Sequence, residues 1–130
     1  MLLEACATGS ASSAAALPLH MDAEQMLRID WSPLLVELMN GNVEPDIRAT
    51  MFHARLARTI AAVAARARET QSFRAVGLTG GVFQNRRLTE LATDELTRAG
   101  FEVWLSERVP CNDGGLAFGQ LVEATASAMR

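Results

Sequence analysis

The chain has 130 residues, 49% of them hydrophobic and 21% charged, with a formal net charge of −3. That is enough apolar content for one domain with its own core, and the near-neutral balance gives no electrostatic case for nucleic acid. No apolar run reaches the roughly 20 residues that span a bilayer, residues 1–7 carry no basic leader, and Cys6 and Cys111 form no metal-type spacing, so reduced thiols in a cytoplasmic protein are expected.

Residues 1–7 read as the end of a helix whose start is absent. Residues 8–16, rich in Ser, Ala and Gly, read as a flexible connection. Residues 17–29 suit one or two short strands. Asp30 or Ser32 can cap a helix with Pro33 near its first turn, running to Met39 and stopped by Asn40-Gly41.

A long helix is predicted from Pro45 to about Thr70. Ile47, Met51, Ala54, Leu56, Ile60, Val63 and Ala67 recur at helical spacing and predict one buried face, and the many alanines predict close packing. Arg48, Arg55, Arg58, Arg66 and Arg68 are expected on a solvated face, with an RNA- or partner-binding face as the alternative. His53 is a core or boundary residue by default. It is also a candidate proton carrier, since an unperturbed histidine titrates near about 6.5.

Residues 73–79 form a predicted buried strand that ends in Val76-Gly77-Leu78-Thr79-Gly80-Gly81, and a helix over 84–99 follows, closed by Gly100. Glycines there let the backbone approach a ligand, because no Cβ stands in the way, and the first N–H groups of a helix suit a phosphate or other anion. The form then repeats. A strand over 101–105 leads into Cys111-Asn112-Asp113-Gly114-Gly115 and a last helix over 114–127. Asn112 or Asp113 can cap that helix; alternatively, Asp113 is a carboxylate placed for a hard cation. Two such loops on neighbouring parallel strands would face one cleft beyond the strand ends. The result is a layered α/β unit whose sheet looks incomplete.

The two glycine loops, Gly80-Gly81-Val82-Phe83-Gln84-Asn85-Arg86 and Val109-Pro110-Cys111-Asn112-Asp113-Gly114-Gly115-Leu116-Ala117-Phe118-Gly119-Gln120, resemble the C-terminal end of the HypF carbamoyltransferases of [NiFe]-hydrogenase maturation. Gly100-Phe101-Glu102-Val103, Phe52-His53 and Leu2-Leu3-Glu4-Ala5-Cys6-Ala7 also fit. The tRNA threonylcarbamoyl transferases share the loops, but Phe83-Gln84-Asn85 favours the hydrogenase branch. The resemblance implies a partial actin-like (sugar kinase/Hsp70 superfamily) ATPase lobe, the whole chain being most of the second of two lobes. It further implies that Gly80, Gly81 and Gly114 lie at the phosphates, that Asn85 helps to hold the nucleotide, and that Asp113 is a divalent-metal ligand. The implied cofactors are ATP or carbamoyl-adenylate, and the implied reaction passes a carbamoyl group to the C-terminal cysteine of a HypE-like acceptor protein.

Three departures bear on activity. The family's histidine-rich metal motif is missing, since His20 and His53 are the only histidines. The acylphosphatase-like, zinc-finger and adenylate-forming regions are also missing. Cys111 stands where the family has a proline, and Thr79 where it has serine. No acyl acceptor or catalytic base is identifiable, and negligible catalysis is expected from the chain by itself, the first lobe being on a separate chain or lost. The alternative is a non-catalytic remnant lobe that acts as an interaction or homo-oligomerisation module. A small nucleotide-binding protein of unrelated chemistry ranks below both, because there is no Gly-Lys-Ser/Thr phosphate loop.

Overall fold

A computed structural model describes residues 2–7, 9 and 14–128. Helix α1 (Leu2–Cys6) precedes an antiparallel hairpin of β1 (Leu19–Met21) and β2 (Leu27–Ile29), paired with Leu19 opposite Ile29. Asp22 closes its turn by accepting from the Glu24 and Met26 amides at 3.0 and 2.8 Å. Helix α2 (Ser32–Met39) follows, with the Asp30 carboxylate accepting from the Ser32 amide at 2.9 Å.

The 24-residue helix α3 (Pro45–Arg68) begins with Pro in its first turn, Asp46 beside it, and Arg66 and Arg68 in the last turn. All three placements suit the helix dipole and the missing proline N–H. Strand β3 (Ala75–Leu78), a 3₁₀ turn (Gly81–Gln84), helix α4 (Arg86–Arg98), strand β4 (Glu102–Leu105) and helix α5 (Asp113–Ala128) complete the chain. Among the described residues β3 and β4 form a two-stranded parallel sheet, with Ala75 opposite Glu102 and Leu78 opposite Leu105. The chain is thus mixed α/β, with α3 and α4 packed beside a short sheet.

The core lies between α3, α4 and β3. Ala57, Ala61, Ala64, Leu78, Leu88, Ala92, Leu96 and Phe101 make one buried cluster. The buried stripe of α3 is a run of small residues, Ala49, Ala57, Ala61 and Ala64, interrupted by His53. Small side chains let the α3 and α4 backbones come close, and the larger residues then flank the contact. Of the apolar set predicted for this face, Ala54 is buried, Met51, Leu56, Ile60, Val63 and Ala67 are half-buried, and Ile47 is 49% exposed.

The arginine row of α3 is not the uniformly solvated face that charge alone predicts. Arg55 is buried, donating to the Ala15 carbonyl at 3.1 Å and pairing with Glu37. Arg48 donates to the Leu38 carbonyl at 2.8 Å, and Arg58 pairs with Glu95 at 3.2 Å. Arg66 and Arg68 are exposed, and Arg68 lies 3.9 Å over the Phe101 ring. Of the predicted flexible connection, residues 8 and 10–13 lie outside the described residues. The Gly9 amide donates to Thr50 Oγ1 at 3.3 Å, and just beyond the connection the Leu17 amide donates to buried Thr59 Oγ1 at 2.9 Å.

Helix α4 ends as its sequence predicts. Gly100 adopts φ +79, the Phe101 amide reaches back to the Leu96 carbonyl at 3.0 Å, and the Gly100 amide to Thr97 at 3.0 Å. This pair of bonds is a Schellman cap, and Phe101 and Leu96 supply its apolar contact inside the core.

Candidate functional site

Parallel pairing fixes where the two glycine loops emerge. Strands β3 and β4 end side by side at Leu78 and Leu105, so residues 79–85 and 106–112 leave the same, carboxyl edge of the sheet. This is the edge where parallel α/β sheets hold ligands.

In the first loop Gly80 has φ +102 and ψ +156, a region that essentially only glycine occupies. A Cβ added at Gly80 or at Gly81 would meet nothing within 4 Å, so both glycines border open space. The 3₁₀ turn follows at once: the Phe83 amide donates to Gly80 at 3.0 Å and the Asn85 amide to Val82 at 3.1 Å. The predicted helix start at residue 84 therefore shifts to Arg86, with the 3₁₀ turn between the diglycine and α4.

That shift matters for anions. Two N-terminal amides of α4 are already engaged: Arg87 donates to Glu4 Oε1 at 3.3 Å and Leu88 to Asn85 Oδ1 at 2.9 Å. A phosphate contact would therefore fall mainly to the diglycine turn, since these two amides of α4 are taken. A glutamate more than eighty positions away supplies one of these caps, and no local pattern announces it.

Asn85 is the N-cap of α4, and its other amide end meets His53 Nε2 at 2.8 Å. His53 is fully buried, and its Nδ1 lies 2.7 Å from the Ala49 carbonyl. A carbonyl can only accept, so Nδ1 carries the proton and Nε2 accepts from Asn85. Thr89 ties the loop from the far side, its hydroxyl lying 2.9 Å from the Phe83 carbonyl and 3.0 Å from that of Asn85. His53 thus belongs to the core, as its default reading holds, while touching a residue of the candidate loop.

In the second loop Asn112 does the capping. Its Oδ1 accepts from the Gly114 amide at 3.1 Å, and its carbonyl accepts from Gly115 at 2.8 Å. A Cβ at Gly115 would sit 2.3 Å from the Pro110 carbonyl oxygen, so this glycine is required by the chain's own close approach. At Gly114 the added Cβ would lie 3.2 Å from Asn112 Oδ1. Asp113 opens α5 with an exposed side chain, and Cys111 is half-buried and unpaired. Among the described residues no three His, Cys, Asp or Glu side chains gather as a metal site. One exposed carboxylate does not make a tight cation site, so Asp113 would need ligands from another chain or segment.

Beside the first loop, an apolar groove of about 460 Å³ runs along β3 between Ile60, Val63, Phe73, Val76 and Phe83 to Thr79. The surface of β4 and α5 is also apolar: Trp104 is 61% exposed, Leu116 66% and Leu121 67%, and no residue of α5 is buried. Among the described residues no helix is long and apolar enough to cross a membrane.

Residues 1–120 match the family model for the carbamoyltransferase Kae1-like domain, second subdomain. The chain is 43% identical over 98 residues to carbamoyltransferase HypF of Rhodobacter capsulatus, covering 75% of this chain and 13% of that protein. It is 33% identical over 100 residues to the HypF of Synechocystis, covering 76% and 12%. Full-length HypF in a phosphate- and nucleotide-bound crystal form superposes with a TM-score of 0.78 at 32% identity, over 94% of this chain and 16% of that one. HypF of T. kodakarensis gives a TM-score of 0.71 at 23% identity, over 92% and 15%, which speaks to the fold alone. The chain therefore spans only about an eighth of the length of the curated relatives it matches. By the match of its sequence to the subdomain model, and of its fold to solved members, it belongs to the HypF carbamoyltransferase family.

Proposed function

We propose that the chain supplies the second lobe of a HypF-type carbamoyl-transfer site, within an actin-like ATPase architecture. The observation that carries this reading is the parallel β3–β4 pair, which brings the Gly80-Gly81 loop and the Asp113-Gly114 loop to one sheet edge. The relative solved with phosphate and nucleotide bound supports ATP or carbamoyl-adenylate as the ligand. Gly80 and Gly81 would admit the phosphates at the open side of the loop, with Asn85 following in the same loop and Gly114 in the loop after the neighbouring strand. Asp113 would join a divalent cation only together with ligands from the first lobe, and no step is assigned to that cation. The carbamoyl group would then pass to the C-terminal cysteine of a HypE-like acceptor in hydrogenase maturation. A reducing cytoplasm suits the free thiols Cys6 and Cys111.

Calorimetric titration of the purified chain with ATP and Mg²⁺ tests this reading. Gly81 has room for a side chain and lacks a positive φ, so Gly81→Leu leaves the fold intact while filling the ligand's side of the loop. Micromolar binding to the parent, weakened by Gly81→Leu, supports the reading. No binding to a folded parent, or equal binding by both, refutes a preformed half-site.

A second reading has its own observation. The exposed Trp104, Leu116, Phe118 and Leu121, together with the β3 groove, form apolar surface of the kind that proteins cover with a partner. A stable dimer without nucleotide binding would favour an interaction or oligomerisation module.

A further inference from the structure

We propose that His53 is a positioning residue that fixes the Asn85 amide with its oxygen on the Leu88 cap and its nitrogen as the donor available to a ligand of the diglycine loop. The proposal rests on the ligand-binding reading of that loop and narrows what the loop can select. Ala49 sets the tautomer. Its carbonyl lies 2.7 Å from His53 Nδ1, which forces the proton onto Nδ1 and leaves Nε2 with a lone pair. That lone pair faces Asn85 Nδ2 at 2.8 Å, so the nitrogen end of the Asn85 amide must point at the ring. The oxygen end then faces the Leu88 amide at 2.9 Å and is committed there.

Reversing the amide would set Oδ1 against the Nε2 lone pair and Nδ2 against an N–H, losing both bonds. The ring is fully buried, so water cannot replace either partner. One Nδ2–H of Asn85 has no partner among the described residues, and Oδ1, bonded to the Leu88 amide, keeps a second lone pair. Asn85 therefore holds its nitrogen as the donor available to a ligand, while its oxygen stays turned to the Leu88 amide. The ligand groups that fit this donor are oxygen acceptors, as on a phosphate chain or a sugar hydroxyl.

Two substitutions separate the halves of the ring. In His53→Gln the amide oxygen falls near the former Nε2 and still accepts from Asn85. In His53→Asn the amide nitrogen falls near the former Nδ1, still donates to Ala49, and does not reach Asn85. The readout is amide hydrogen exchange at Leu88 in the full chain, together with imidazole ¹⁵N shifts of His53 in the parent.

The parent should show a neutral ring protonated at Nδ1. Leu88 protection should stay within about twofold of the parent in His53→Gln and fall about fivefold in His53→Asn, the size of one neutral hydrogen bond. A parent ring protonated at Nε2, or equal Leu88 protection in the two variants, overturns the proposal. The parent spectrum decides it even if a variant fails to fold. Titration with inorganic pyrophosphate separates the two claims. Weaker pyrophosphate binding in His53→Asn than in His53→Gln supports the donor role. If the parent binds no pyrophosphate while exchange and tautomer behave as stated, the ligand reading of the loop falls and the positioning stands.

Discussion

Replacing Asn85 by alanine should cost far more than an ordinary loop substitution, because two different debts arise at one atom group. The first is the helix cap. Removing a side chain that accepts from an N-terminal amide costs about 1 kcal/mol, and Asn85 caps α4 at 2.9 Å through Leu88. The second is the stranded ring. His53 Nε2 would be left without a donor inside a fully buried residue, and an unsatisfied buried polar group costs about 1–3 kcal/mol. Together these give about 2–4 kcal/mol.

The control is Asn112→Ala. Asn112 also caps a helix, but it is exposed and α5 buries no residue, so the loss stays local. Urea unfolding followed by far-UV circular dichroism should show a large fall in midpoint for Asn85→Ala at unchanged m, and almost none for Asn112→Ala. Equal midpoints for the two variants would refute the reasoning, because cap loss alone would then account for Asn85.

The glycines should respond in opposite ways. Gly80→Ala meets no neighbour but forces alanine to φ +102, so unfolding should be easier by about 1–3 kcal/mol; an unchanged urea midpoint would contradict that backbone. Gly115→Ala drives a Cβ to 2.3 Å from the Pro110 carbonyl oxygen, so its amide shifts should move over residues 108–116 while the global midpoint holds. Acid should loosen the β1–β2 hairpin in a defined window. Donation from the Met26 amide, and then from Arg28, holds the Asp22 carboxyl below its ordinary 3.8. A depressed carboxyl stabilises the fold at pH above 3.8 and loses that contribution as pH falls through its folded value. Met26 amide protection should therefore be flat from neutrality toward that point and then drop, and in Asp22→Asn the drop should be smaller; an identical acid limb would exclude this group. Helix α5 should exchange its amides much faster than α4, since a helix of 16 residues without buried contacts is marginal in water; matching protection would mean that α5 is covered in solution.

What the sequence made legible was mostly local. Pro45 at a helix start, Gly100 at a helix end and the diglycine after a short apolar strand each act within a few residues, and each was readable. Most of the unread features depend on partners distant in sequence. Periodicity weighted by hydrophobicity drew attention to Ile47 and Met51, while the buried stripe of α3 is alanine with His53, because close helix contact selects small side chains. Arg55 is buried because Glu37 and the Ala15 carbonyl meet it there. His53 could be read as core or as proton carrier, and only the positions of Ala49 and Asn85 decide which atom carries its proton. The candidate loops were legible as motifs. Their shared edge follows from the β3–β4 register, whereas the occupied amides at the start of α4 depend on Glu4 and were not predictable.

The two loops differ in how they are held, and this bears on the proposed function. The Gly80 loop is fixed from within: Asn85 is tied to His53 and Leu88, Thr89 to Phe83, and the core lies beneath. Among the described residues the Asp113 loop has no comparable anchor. It hangs between β4, whose Trp104 and Leu105 face outward, and a helix with no buried residue. A ligand that needs both loops would find one already shaped and the other dependent on cover for the apolar surface of β4 and α5. On this reading the partner that completes the site does more than add ligands for a cation at Asp113. By covering that surface it also sets where Asp113 stands, so nucleotide affinity and partner binding should be coupled through α5, with no change required at the diglycine.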